Sequence, residues 1–414
     1  MYIIISSMME TLWDYIPRNL YFGRVKPFIG SHIIKILSGQ RRSGKSYILY
    51  QLMDEIRKVD PKANIIYINT EFAEFRQVKT DGELYDFVAS RLSTDRKNFV
   101  FIDEIQDIAD FEKAVRSLYA EERCDIYCAG SNAHLLSGEF ATYLAGRYIQ
   151  FQIHPLGYRE FLSFYDLENS PEALRKYFRI GGMPFLASLP AGEEHLAREY
   201  LKNVYESIVL RDVLIRENIR NIRFLENLAE YLADTIGSLF SANNISNYLK
   251  HQQVQIPVQT VISYLAALEK SCIIHKVPRA KVGGLKIFEI GEKYYFEDLG
   301  LRNVLAKNPP ALDMGRLLEN AVYLFLIQRN FTVYVGKDGN KEIDFIAEKD
   351  GAKLYVQVSL RIDNEEVRRR EFGNLEGIPD NFPKYVVTLE DELPAVTPTG
   401  IICMGVREFL MLEP

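Results

Sequence analysis

Two short stretches carry residue types whose spacing can do chemistry. In GQRRSGKS, Gly39 and Gly44 bracket four residues and are followed by Lys45 and Ser46. Glycines let successive backbone N–H groups curl around phosphate oxygens, and a helix starting there adds favourable partial charge. Lys45 can then reach β- and γ-phosphates, and the Ser46 hydroxyl can ligate Mg2+. In FVFIDEIQ, an apolar run ends in two adjacent carboxylates, Asp103 and Glu104. Asp103 would complete the magnesium shell, and Glu104 would polarise an attacking water as general base.

The surrounding elements must position these groups. IIKILSG reads as a strand before the loop and YILYQLMDEIRKV as a helix after it. Three further apolar runs, at 64–69, 99–106 and 125–132, alternate with helix-length segments, as in a parallel sheet covered on both faces. The candidate nucleotide contacts are therefore Gly39, Gln40, Arg41, Arg42, Ser43, Gly44, Lys45, Ser46 and Tyr47. Arg41 and Arg42 can meet phosphates or face an adjacent domain. The chain has no Asn-Lys-x-Asp guanine-reading motif. Small-molecule kinases usually lack a carboxylate base beside the magnesium Asp. The expected ligand is ATP with Mg2+, and the expected reaction is hydrolysis to ADP and phosphate. Ser131 and Asn132, ending the last strand, can sense the γ-phosphate or cap a helix. Arg147 can act as a finger on transition-state charge, in cis or from a neighbouring subunit, or be an ordinary surface residue.

The chain has 414 residues, enough for two to four domains, with 47% hydrophobic and 26% charged residues. A net charge of -6 excludes a global field that would draw it to nucleic acid, so any DNA contact must rest on a local patch. Cys124, Cys128, Cys272 and Cys403 show no metal or disulfide spacing and read as reduced thiols. No apolar run is long enough for a membrane span or a secretory signal, so a cytoplasmic location without membrane contact is expected.

Taken together, GQRRSGKS, FIDEIQ, AGSNAHLLS, LAGRY and HPLGYREFL resemble the archaeal-type AAA-family ATPases, which also occur in bacteria. RIGGMPFL, SIVLRDVL and KYYFEDLGLRN resemble the C-terminal region of unknown function in the same proteins. The resemblance spans nearly the whole chain. It implies a five-stranded parallel sheet in which the Asp103 strand is not adjacent to the phosphate-loop strand. It also implies Asp103 on magnesium, Glu104 as base, Asn132 as sensor and Arg147 as finger candidate.

An α/β chain of five parts is expected: an N-terminal segment (1–29), a P-loop ATPase core (30–156), a helical lid (157–235), a winged helix (236–305) and a restriction-endonuclease-like domain (306–414). The lid rests on apolar positions at i, i+3 and i+4. The winged helix rests on two helices, the second beginning near Pro257, followed by a hairpin through Gly283 and Gly284. Residues 236–305 carry eight basic and five acidic side chains, and 276–286 carries four basic and no acidic ones. That hairpin is the candidate contact to double-stranded DNA, although winged helices also dock proteins. Oligomers remain open. In the last part, Glu319, Asp344 and the position of Gln357 match the metal-binding places of the restriction-endonuclease-like fold. Ser359 stands where a lysine usually lies, and Lys353 is too far back along its strand. Nuclease chemistry is therefore expected to be absent. The alternatives are an ATP-gated, metal-dependent DNA nuclease and a slow nucleotide switch that docks a protein.

Overall fold

The computed structural model describes residues 15–131, 144–190, 192–215, 217, 219, 221–251, 256–282, 287–339, 341–362, 365–390 and 395–413. Contacts divide the chain into two compact units. One comprises Met1–Gly39 and Gly44–Ile153, and the other Gln40–Ser43 and His154–Pro414.

The first unit is built on five strands: β1 (Ile34–Ser38), β2 (Asn64–Asn69), β3 (Asn98–Asp103), β4 (Asp125–Gly130) and β5 (Tyr148–Gln152). Their order is β2-β3-β4-β1-β5, and every pairing is parallel. The Asp103 strand is thus separated from the phosphate-loop strand by β4. The inner strands β1 and β3 are buried throughout, which is why they read as unbroken apolar runs. Two apolar clusters, one containing Ile36, Ile68, Val100 and Ile126 and the other Leu37, Phe101, Tyr127 and Leu52, are the unit's cores. Lys35 breaks the apolar rule inside β1. It is fully buried and ion-pairs with Asp125, with its pKa lowered by burial against the pull of Asp125.

The second unit opens with helices Tyr158–Phe164, Pro171–Ile180 and Glu194–Ile208. The last runs into a π-helical turn, Val209–Ile215, before helix Ile222–Asp234. Helices Ala242–His251 and Val258–Lys270 precede strands β6 (Ile274–Lys281) and β7 (Ile287–Phe296), which pair antiparallel. Strands β8 (Thr332–Asp338), β9 (Lys341–Lys349), β10 (Ala352–Ser359), β11 (Lys384–Thr388), β12 (Ala395–Val396) and β13 (Ile401–Gly405) follow, with helix Met314–Gln328 before them and helix Glu365–Glu376 after β10. These strands and the β6–β7 hairpin make one eight-stranded sheet, β12-β13-β11-β10-β9-β8-β6-β7. The expected division at 305/306 therefore falls inside a sheet, because β6 pairs parallel with β8. Successive side chains on the strands alternate between faces. Phe345, Val356 and Val387 join the large cluster that includes Leu317 and Leu318, while Ile346, Tyr355 and Val386 join a smaller one with Phe372 and Leu375. Each face is thus covered by its own helix. Among the described residues, no helix is long and apolar enough to cross a membrane.

Candidate functional site

The phosphate loop leaves β1 after Ser38, at the carboxyl edge of the sheet. Gly39 has φ 148°, and a Cβ there would meet the Ile153 carbonyl oxygen at 2.1 Å, so only glycine fits. Gly44 has φ 95° and immediately precedes helix Lys45–Val59, whose N-terminus faces the loop. Lys45 is buried, and its ammonium donates to the Gly39 carbonyl at 3.0 Å. Asp103, at the end of β3, is fully buried. It accepts hydrogen bonds from the Tyr67 hydroxyl (3.1 Å) and the Asn69 amide (3.4 Å), and another from Ser46. Burial, followed by the charge of Glu104, pushes its carboxyl up to about 6, against the donors and Lys45. The two expected magnesium-site residues, Ser46 and Asp103, are therefore in contact. Mg2+ fits this hard-oxygen pair at a phosphate loop.

Glu104 has a left-handed backbone, φ 51°, which costs a non-glycine residue of order 1–3 kcal/mol. That turn carries its side chain off the strand line. Its carboxylate accepts from the Gln106 amide, and the same amide reaches Ser131 Oγ at 3.4 Å. The Thr70 hydroxyl donates to the Glu104 carbonyl at 3.2 Å. Tyr67, Asn69, Thr70 and Gln106 were not singled out from sequence. The available signal was that Asn69 ends and Thr70 follows the neighbouring apolar run, at the same carboxyl edge as Asp103.

Other expected contributors fall elsewhere. Asn132 lies outside the described residues. Tyr47 is exposed, its ring edge-on to Tyr50. Arg42 is exposed with φ 69°. Within the second unit, the Gln40 amide donates to the Cys272 carbonyl at 2.8 Å, and Arg41 Nε lies 3.5 Å from Asp212 Oδ2 in the π-helical turn. Both side chains are therefore engaged by protein groups. Ser43 is buried beside them. Arg147 lies away from the loop. Its carbonyl accepts from Ile34 N–H, and β5 starts level with the start of β1. Five residues at about 3.3 Å each place it roughly 16 Å from the loop, at the amino edge of the sheet. A cis finger role is incompatible with that register.

The C-terminal hairpin turns through Asp350 and Gly351, both at positive φ, as a tight two-residue connection requires. Asp344 on β9 is buried and accepts from Val358 N–H at 2.8 Å, while Gln357 Oε1 accepts from Asp344 N–H at 3.4 Å. The lysine missing from β10 is supplied from β7. Lys293 Nζ lies 3.0 Å from Glu319, 2.9 Å from Glu342 and 3.7 Å from Asp344. Burial works against its charge, but those carboxylates outweigh burial and hold the ammonium protonated. Arg279 pairs with Glu342 and Arg370 with Glu371, so four carboxylates share this region with three cations. Burial, followed by Glu319, raises the Asp344 carboxyl, and one proton there balances the set. The basic hairpin is also less available than its sequence implied. Lys276 pairs with Glu292, Arg279 with Glu342, and Lys293 is buried.

An AAA domain model matches residues 31–162, and a model for a domain of unknown function, DUF8612, matches 171–312. An uncharacterized protein of Haemophilus influenzae is 34% identical over 379 residues, covering 90% of this chain and 93% of its own. The chain belongs to this family of AAA-domain proteins. An uncharacterized protein of Methanocaldococcus jannaschii is 30% identical, over 87% of this chain and 82% of its own. Among solved structures, the Walker-type ATPase of Pyrococcus abyssi is similar with a TM-score of 0.50 and 17% identity, covering 70% of this chain and 96% of its own. At that identity the likeness concerns the fold, which is that of a P-loop ATPase. In this chain the P-loop ATPase type of sheet is thus joined to a second unit that carries the DUF8612 match.

Proposed function

We propose that this AAA-family protein hydrolyses ATP with Mg2+ and passes its nucleotide state to the second unit. The observation that carries this reading is the meeting of Lys45, Ser46, Asp103 and Glu104 at one edge of the sheet. Lys45 would leave the Gly39 carbonyl for the β- and γ-phosphates, which offer it a stronger, charged acceptor. Backbone N–H groups of 39–46 would cradle the phosphates, since the side chains of Gln40 and Arg41 already have protein partners. Ser46 and Asp103 would hold Mg2+, whose charge relieves the burial of the carboxyl. Glu104 would take a proton from water in line with the γ-phosphate, with Asn132 as sensor. If Arg147 acts as a finger, it does so on a neighbouring copy.

In this reading the helices at 157–235 serve as a lid, and those at 242–270 with the β6–β7 hairpin form a winged helix. The sheet from β8 onward is a restriction-endonuclease-like fold that does not cleave. Lys293 supports the last point, because its ammonium stands among the carboxylates that would otherwise call for a metal ion. The paired state of Lys276 and Arg279 favours a protein partner over DNA for the hairpin. The test is steady-state ATP hydrolysis with and without double-stranded DNA, with Glu104→Gln as blank. Hydrolysis lost in that variant and indifferent to DNA is expected. DNA stimulation would restore the DNA-directed reading. Magnesium- or manganese-dependent cleavage abolished by Asp344→Ala would restore the nuclease.

A further inference from the structure

Three side chains of the second unit that have no role assigned above converge on one another. His154, the first residue of the unit's long segment, presents Nδ1 to Glu297 Oε1 at 2.9 Å. His275, on β6, presents Nε2 to the other carboxylate oxygen, Glu297 Oε2. Both His154 and Glu297 are buried, and His275 is partly so, with 18% of its side chain exposed. The three ligating groups lie within 4.8 Å of one another.

We propose that His154, His275 and Glu297 bind a divalent transition metal of the zinc type. Two imidazoles and one carboxylate are the borderline-soft donor set that suits zinc rather than magnesium. A tetrahedral shell with bonds near 2.0–2.1 Å keeps ligand atoms about 3.3 Å apart, within the present separations. Three protein ligands leave a fourth position, and partly exposed His275 is the side from which water would enter. Each carboxylate oxygen of Glu297 already faces one imidazole nitrogen. Its backbone is fixed, with Glu297 N–H on the Ile273 carbonyl at 3.0 Å and the next residue, Asp298, accepting from Gly182 N–H at 2.6 Å. The three ligands come from separate segments, so the ion would tie residue 154 to the β6–β7 hairpin. The competing arrangement is metal-free, with the carboxylate held between the two imidazoles by hydrogen bonds alone.

The test uses the untagged full chain, purified without immobilised metal and assayed without nucleotide. About one zinc per chain is expected by plasma mass spectrometry. Stripping it with a chelator should lower Tm, and zinc should restore it. Added Co2+ should give visible d–d absorption in the stripped protein, and zinc should bleach it. His275→Ala, at the most exposed ligand, should weaken Co2+ binding by roughly 100-fold. If that variant does not fold, Glu297→Gln, which keeps size and an acceptor, serves in its place. Absence of zinc together with no Co2+ absorption up to about 100 μM metal overturns the site. Co2+ binding unchanged in both variants also overturns it, by placing the ion on another histidine.

Discussion

The two carboxylate sites of this chain hold the same inventory and arrive at different ends. Each has a buried Asp on a strand, a Glu near it and a buried Lys. Around Asp103 the hydrogen-bond donors are neutral, from Tyr67, Asn69 and Ser46, and they fix geometry without cancelling charge. Lys45 is directed to a loop carbonyl, from which a phosphate can recruit it. Around Asp344 a lysine ammonium stands among three carboxylates, Arg279 pairs with one of those three, and Arg370 pairs with the fourth, Glu371. The placement of the lysine, rather than the count of acids, separates the site proposed for Mg2+ from one that is internally neutralised.

The largest expected effect tests the first site. Glu104→Gln should lower ATP hydrolysis by roughly 10²–10⁴-fold while binding of ATP persists, read by turnover and by equilibrium binding. Hydrolysis retained in that variant would remove the base from the comparison. The second region breaks differently. Lys293→Met leaves buried carboxylates without their cation and should destabilise the protein by about 3–5 kcal/mol in denaturant unfolding. A loss near zero would mean that water or a metal ion already neutralises those acids.

Gln106→Leu sharpens the first site, because it removes the amide that holds Glu104. A hydrogen bond to a charged group contributes about 1.5–3 kcal/mol, so a change of roughly tenfold in kcat with little change in KM is expected. The smallest effect is a pH trend. Asp344 has a raised carboxyl pKa, so the folded state keeps its proton where the unfolded state has released it. That stabilisation is complete below the ordinary carboxylate range and is lost as pH rises through the raised value. Asp344→Asn carries no such loss, and its Tm relative to the parent should climb as pH goes from about 5 to 8. A flat difference would show Asp344 ionised and paired, as a working metal ligand would be.

Much of the first unit was legible because its signals are local. A strand, a glycine loop and a helix N-terminus occupy one continuous stretch, and Asp103 with Glu104 ends an apolar run of its own. The order of the five strands also agreed with the family resemblance. For Arg147 the cis and neighbouring-subunit alternatives stayed open, because distance along the chain says nothing of the edge on which β5 begins. The lysine of the C-terminal site was sought on β10, beside Gln357 and Ser359, whereas it comes from β7, a strand of the preceding hairpin. Nothing in the periodicity of either segment links the two.

By itself, then, the sequence determined the parallel sheet, the phosphate loop and the acidic pair, because backbone geometry and side-chain alternation act over a few residues. Tertiary structure decided which edge Arg147 occupies and which protein groups engage Gln40 and Arg41. It also decided that β6 pairs with β8 to make one sheet of two expected domains, and that Lys293 of β7 stands among Glu319, Glu342 and Asp344. Those outcomes depend on strand register and on charges brought together from distant segments, where pairing and burial in the folded chain, not spacing along it, set the energy.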